Sequence, residues 1–273
     1  MIPARFDYEL AGSVDHAIEL LGSGGDAKLL AGGHSLLPLM RLRLARPSLL
    51  VDVGRLDDLR YIREDGGRIA IGALTRHHDV ANDPLLREAN GLLAHTAAGI
   101  GDPQVRHVGT IGGSVAHGDP AADMPAVLVA LEAELVVRGA GGERTIAAAD
   151  CFRGFLETAI EPGEVLTEIR VPRLAGGWSY LKMTRRAQDW ATVGVAAVQA
   201  NGSARVALTN MDATPVRARG VEEALASGAD PAAAAERAAE GTSPPSDHSA
   251  SGEFRQHLAR VLTKRALEEA LGS

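Results

Sequence analysis

The sequence predicts an α+β chain in two parts: alternating strands and helices up to about residue 175, then a small antiparallel sheet followed by helices. Three observations carry this. Strand-like and helix-like segments alternate from residue 13 to residue 171. Pro172 and the Gly176-Gly177 pair then interrupt the pattern, and behind them two apolar runs flank Asn201-Gly202, a strong hairpin turn signal, ahead of alanine-rich stretches. With 273 residues, 45% hydrophobic and 23% charged, the chain is long enough and ordinary enough in composition to bury a sizeable core.

Residues 13–22 read as a short helix, with Ser13 as N-cap candidate, Val14, Ala17, Ile18 and Leu21 on one side, and Gly22 ending it. A buried strand at 28–31, a Gly-Gly turn and a helix at 36–44 with basic residues in its last turn follow. Strand, glycine turn, helix is an order that suits a bound cofactor. Strands are expected at 49–53 and 68–71, a helix near 77–80, and a longer helix over 84–98. Asp119-Pro120 reads as the N-cap and first helical position of the apolar run 119–131. Further strands are expected at 134–138, 165–171, 179–184, 192–200 and 205–210, then helices at 221–227 and 231–239. A Ser/Pro linker at 242–252 leads to a final amphipathic helix with Phe254, Leu258, Val261, Leu262 and Leu267 on its apolar side. No internal repeat is visible.

Composition excludes several classes. A net charge of -7 and only 3% aromatic residues argue against a nucleic-acid binder. The start has no apolar run of the signal-peptide kind, and no segment reaches the roughly 18 apolar residues of a membrane span, so the expected compartment is the cytoplasm. Cys151 is the only cysteine, which leaves no internal disulfide, no cysteine-based zinc site and no iron–sulfur cluster held by the usual four thiolates.

Two glycine loops carry the chemistry. In Ala31-Gly32-Gly33-His34-Ser35-Leu36-Leu37-Pro38, consecutive glycines after a buried strand let backbone N–H groups turn toward one point. By itself this is also what a tight strand-to-helix turn looks like. In the second loop, glycines at 109, 112 and 113 stand beside the Thr110 and Ser114 hydroxyls near a helix start, a pattern that suits an anion. Two such loops suit a diphosphate. Neither matches the dinucleotide fingerprint or the P-loop, which disfavours nicotinamide binding by the usual fold and nucleotide hydrolysis.

These loops, with Asp119-Pro120-Ala121-Ala122-Asp123-Met124-Pro125, Glu161-Pro162-Gly163-Glu164 and residues 185–191, resemble the medium, FAD-binding subunit of molybdenum hydroxylases, most closely of aerobic carbon monoxide dehydrogenase. The resemblance covers essentially the whole chain. It implies a p-cresol methylhydroxylase-like FAD-binding fold over residues 1–175, in two αβ subdomains of about 1–55 and 56–175, and the family's C-terminal domain over 176–273. It further implies that Ala31, Gly32, Gly33, His34 and Ser35 hold one side of a noncovalent FAD, and that Thr110, Ile111, Gly112, Gly113 and Ser114 hold its diphosphate. Asp123 would accept from ribityl or ribose hydroxyls, Leu166 would pack on the cofactor, and Lys182 would stand near the flavin's polar edge. The implied partners are a large subunit with the molybdenum cofactor and a small subunit with [2Fe-2S] clusters, in a dimer of heterotrimers. Any contact with the inner face of the membrane would run through them.

Plainer readings stand beside these. His34 reads as a polar loop residue unless flavin is attached to it covalently, as in some relatives of the broader fold; many family members carry Gln there and Asn at the position of Ser114. Asp123 could simply cap a helix. His77-His78-Asp79 lacks a distant ligand to complete a metal site. Asp102 and Arg106 could pair ahead of Gly109, Arg185-Arg186 suits solvent or a subunit contact, and Trp190 suits the flavin's side, an interface or the core. Cys151 reads as a small buried side chain. With no nucleophile and base and no paired carboxylates, the expected role is electron transfer through FAD, from the partner's clusters to an external acceptor. Carbon monoxide oxidation to carbon dioxide is the expected overall reaction, and a stand-alone flavin oxidase or reductase on the same fold is the alternative.

Overall fold

The computed structural model describes residues 2–200 and 202–272. It opens with β1 (Asp7–Leu10), α1 (Val14–Gly22), β2 (Ala27–Leu30), α2 (Leu36–Arg41) and β3 (Leu49–Asp52). The three strands form a parallel sheet in the order β1-β3-β2, whose helical crossovers are α1 and α2. Ser13 caps α1 as expected, its side chain accepting from His16 N. α2 stops at Arg41, short of the expected residue 44, because Leu42 ends it and Arg43 turns to a φ of 59°.

There follow β4 (Ile62–Asp65), β5 (Arg68–Gly72), α3 (His77–Asn82), α4 (Pro84–Ala89), α5 (Gly91–Ala98), α6 (Pro103–Val108), α7 (Ile111–His117) and α8 (Asp123–Ala130). The helix expected over 84–98 is two helices. Buried Asn90 breaks it: its side chain accepts from Leu93 N at 3.2 Å, capping α5, and donates to Pro172 O at 2.9 Å. The helix expected from Asp119 begins at Asp123 instead. Asp119-Pro120 forms a turn, with Asp119 Oδ1 accepting from Ala121 N and Pro120 O accepting from Asn210 N, both at 2.8 Å.

Next come β6 (Glu134–Gly139), β7 (Gly142–Ala147), α9 (Ala148–Cys151), β8 (Phe152–Gly154), β9 (Glu157–Thr158) and β10 (Val165–Pro172). β10 returns to the middle of a five-stranded antiparallel sheet in the order β4-β5-β10-β6-β7. The chain ends with β11 (Trp178–Met183), β12 (Val193–Ala200), β13 (Ser203–Thr209), β14 (Val216–Arg217), α10 (Arg219–Ala226), α11 (Pro231–Ala235) and α12 (Gly252–Leu271). β11 to β14 form an antiparallel sheet in chain order. Asn201, half of the expected hairpin turn, lies outside the described residues; Ala200 pairs with Ser203 on either side of it.

The C-terminal sheet is buried on both faces, which explains the unbroken apolar run of β12. Ala196, Val198 and Ala207 join the core around the five-stranded sheet, whereas Val195, Ala197 and Val206 face the core with α12. α8 lies inside that first core with all eight of its residues buried. Each of its larger apolar side chains contributes roughly 1.5–3 kcal/mol by burial. The apolar side expected of α12 is right in part: Leu262 and Leu267 are buried and Leu258 packs against the same core. Arg255, Ala259, Leu262, Ala266, Leu267 and Ala270 are its buried side, while Phe254 is 46% exposed.

Candidate functional site

The β2–α2 turn and the start of α7 face one another across a cavity of about 650 Å³. Ala31, Gly32, Gly33, His34 and Ser35 line it on one side, Thr110, Gly112, Gly113 and Ser114 on another, with Asp123 and Leu166 completing the wall. Ile111 and Lys182 are not among its lining residues. Ile111 is fully buried in the core as the first residue of α7, and Lys182 reaches the site through Asp123.

Glycine brings the two loops together. A Cβ on Gly32 would stand 2.5 Å from Val108 O and 2.9 Å from Gly109 Cα, so only a bare backbone lets them meet. Gly33 has a φ of +72°, which turns the chain into α2. Among the described residues, the N–H groups of Gly32, Gly33, His34 and Ser35 make no hydrogen bond to the protein. Ser35, at the N-cap position of α2, makes no side-chain capping bond. This loop therefore offers the cavity a run of unspent donors.

The second loop is built differently. Ile111 N donates to Thr75 O at 3.0 Å, Gly112 N to Ala73 O at 2.9 Å, Gly113 N to Thr110 Oγ1 at 3.1 Å and Ser114 N to Thr110 O at 3.1 Å. The pattern that suits an anion here has few free backbone donors behind it, because these N–H groups are spent on α7 and on the strand end behind it. Thr110 Oγ1 accepts from Gly113 N and keeps its own proton to donate, and Ser114 lines the cavity.

Asp123, at the start of α8, does not cap the helix. Its Oδ1 accepts from Tyr180 Oη at 2.5 Å and its Oδ2 from Lys182 Nζ at 2.9 Å, while Lys182 Nζ also donates to Gly99 O at 2.9 Å. Burial pushes the Asp123 carboxyl above its ordinary pKa, and the Lys182 charge and the two donated bonds oppose that shift. Burial, then the Asp123 charge, holds Tyr180 well above the usual phenol range. Tyr180 escaped the sequence reading. The signal was present: Tyr180 and Lys182 are two apart on one strand and so share a face.

The other singled-out residues fall outside this arrangement or at its edge. His77, 4% exposed, also lines the cavity, and burial lowers its pKa to about 4. His78 stacks on His107 with ring centroids 4.0 Å apart. Among the described residues, no group of three His, Cys, Asp or Glu is placed to hold a metal. Asp102 and Arg106 do not pair. Asp102 caps α6 by accepting from Val105 N, and Arg106 donates to Ile100 O and Gly101 O. Trp190, 60% exposed, lines the cavity mouth and is no core residue. Arg185 donates to His248 O, and exposed Arg186 pairs with Asp189. Cys151 is buried, which pushes its thiol up to about 11.

Residues 4–174 match the FAD-binding domain of molybdopterin dehydrogenases, and residues 178–270 match the carbon monoxide dehydrogenase flavoprotein C-terminal domain. The chain is 43% identical to the carbon monoxide dehydrogenase medium chain of Hydrogenophaga pseudoflava, over 99% of this chain and 98% of that one. It is 39% identical to the alpha subunit of the 6-hydroxypseudooxynicotine dehydrogenase complex of Paenarthrobacter nicotinovorans, over 99% and 96%. The structure of the Hydrogenophaga pseudoflava carbon monoxide dehydrogenase superposes with a TM-score of 0.96 at 45% identity, covering 100% of this chain and 99% of that one. No helix among the described residues is long and apolar enough to cross a membrane. The loops, the cavity between them and the sequence matches over nearly the full length lead to one conclusion: the chain belongs to the FAD-binding, medium-subunit family of the molybdenum hydroxylases, the flavoprotein subunits of oxidoreductases of the carbon monoxide and xanthine dehydrogenase kind.

Proposed function

We propose that the chain is the electron-transfer subunit of a heterotrimeric molybdenum hydroxylase, receiving electrons from [2Fe-2S] clusters of a small partner and passing them to an external acceptor. The observation that carries this reading is the cavity shared by the two glycine loops, with a buried carboxylate in its wall. The residues present fit FAD: unspent N–H donors at 32–35 suit a diphosphate, Leu166 and neighbouring aliphatic groups suit a ring system, and Asp123 suits a hydroxyl-bearing chain. Bound there noncovalently, FAD supplies the capacity to take up and release electrons singly or in pairs.

On this reading Gly32 and Gly33 let backbone donors approach the diphosphate, with His34 and Ser35 completing that side. Thr110 and Ser114 present hydroxyls opposite them, Gly113 keeps the wall low, Gly112 lets α7 pack against Ala73, and Ile111 anchors the turn in the core. Lys182 opposes the upward shift that burial imposes on the Asp123 carboxyl and brings a cationic side chain to the wall from behind. The proposed division is an FAD-binding part over 1–175, itself split near residue 55, and a C-terminal part over 176–273. The large partner would hold the molybdenum cofactor, in a cytoplasmic dimer of heterotrimers whose membrane contact, if made, runs through the partners. Carbon monoxide oxidation to carbon dioxide is the proposed overall reaction, supported by the identity with the Hydrogenophaga pseudoflava chain.

An absorption spectrum before and after acid precipitation tests the reading. Flavin bands that move to the supernatant as FAD are expected. A colourless protein that FAD cannot reconstitute would remove the proposal, and flavin retained in the pellet would favour a covalent stand-alone oxidase. Assay of the purified complex with carbon monoxide against N-heteroaromatic substrates decides the overall reaction.

A further inference from the structure

Tyr180 is 6% exposed, and its hydroxyl donates to Asp123 Oδ1 at 2.5 Å. It comes from β11, in the C-terminal part, whereas Asp123 opens α8 in the wall of the cofactor cavity. β12 makes room for the contact. Gly194, opposite Lys182 in the ladder, sits inside a strand where glycine is disfavoured, and a Cβ there would stand 2.7 Å from Tyr180 Oη. Lys182, two residues along the same face, holds the other oxygen of Asp123. A carboxylate pinned at both oxygens by one strand keeps a fixed orientation, and each oxygen retains acceptor capacity for a further donor.

We infer that Tyr180 is a positioning residue of the cofactor site, which orients Asp123 toward a hydroxyl of the bound FAD and so makes the C-terminal sheet part of that site. The inference rests on the proposed FAD reading. It assigns the sheet a task besides packing: β11 supplies both groups that aim the carboxylate, and β12 supplies the gap through which the phenol reaches it.

FAD dissociation constants of the full chain, wild type and variants, test this in a double-mutant cycle. Tyr180→Phe is expected to weaken FAD roughly tenfold in the wild-type background, the loss typical of a hydrogen bond to a charged group. In an Asp123→Asn background the same change should alter affinity less than about twofold, because the carboxylate it aims is gone. A purely structural role would give equal losses in both backgrounds, and equal losses overturn the inference, as does an unchanged affinity for Tyr180→Phe alone. If Asp123→Asn empties the site, Gly194→Ala takes over. It keeps both side chains but crowds the phenol oxygen, so a similar loss is expected, with no further loss on adding Tyr180→Phe. Unchanged affinity in Gly194→Ala, or additive losses, would overturn the inference by that route. A wild-type chain that binds no FAD would bring down the FAD reading itself, and this inference with it.

Discussion

The two glycine loops share a Gly-Gly pair and one cavity, but they use glycine for different physical reasons. In the first, Gly33 takes a left-handed φ and Gly32 lies against the backbone of Val108 and Gly109, leaving the loop's N–H groups unspent. In the second, Gly112 and Gly113 lie in the first turn of α7 with their N–H groups bonded. A Cβ on Gly112 would meet Ala73 Cβ and Ala73 O at 2.6 Å, so that glycine serves helix-on-strand packing. One loop is a donor arm and the other a packed wall. A glycine-rich motif read from sequence does not say which of these it is.

The largest effect that would break this comparison is expected from Gly32→Val. Its Cβ would collide with backbone atoms that cannot rotate away, forcing the loops apart. Loss of bound FAD is expected, with destabilisation of roughly 1–3 kcal/mol. Retained flavin would show that the loops do not need to touch.

His77, packed behind the second loop with its N donating to Gly109 O, gives a pH-dependent effect of the next size. Burial lowers its pKa from 6.5 to about 4, so the unfolded chain takes up the proton first. Its contribution is complete above pH 6.5 and is lost as pH falls toward 4, by at most about 3 kcal/mol. Urea unfolding between those limits should show a shallower acid loss in His77→Gln than in the wild type, and parallel pH profiles would sink the idea. Gly33→Ala follows. Its φ of +72° costs an L-residue roughly 1–2 kcal/mol, and the displaced donors should weaken FAD in step. A stable variant with wild-type affinity would remove the first loop from the site.

Much of this was legible because local signals and tertiary packing agreed. α1 shows it, with a serine cap and apolar residues at helical spacing. Misreadings arose where one residue pattern serves two structures. Asp-Pro opens helices and also makes turns; at 119–120 it makes a turn, and the marker of α8 was Pro125, tolerated in a first turn where its missing N–H costs nothing. Asn90 looks like a neutral passenger in an apolar helix until Pro172 O arrives from a strand end 82 residues away. Leu262 and Leu267 mark the buried side of α12, but the rest of it is hidden because alanines form much of it, and because Arg255 is buried by tertiary partners, Thr192 O and Asp247. Tyr180 and Lys182 needed only the period of a strand, but their target lies on another element.

Gly113→Ala is the smallest change and the sharpest test of the packed-wall description. Its position is helical, so alanine gains up to about 1 kcal/mol over glycine. Against that, the new Cβ would stand 2.8 Å from Thr110 Oγ1 and loosen the cap it forms, a loss of roughly 0.5–2 kcal/mol. These effects nearly cancel, and thermal unfolding of the apo chain should stay close to the wild type. FAD affinity need not follow stability, because Gly113 and Thr110 both line the cavity. Weaker binding at unchanged stability, by roughly tenfold or about 1.4 kcal/mol, is the expected outcome. Unchanged binding at unchanged stability would place the contact surface at Thr110 and Ser114 alone, with Gly113 shaping the helix behind them.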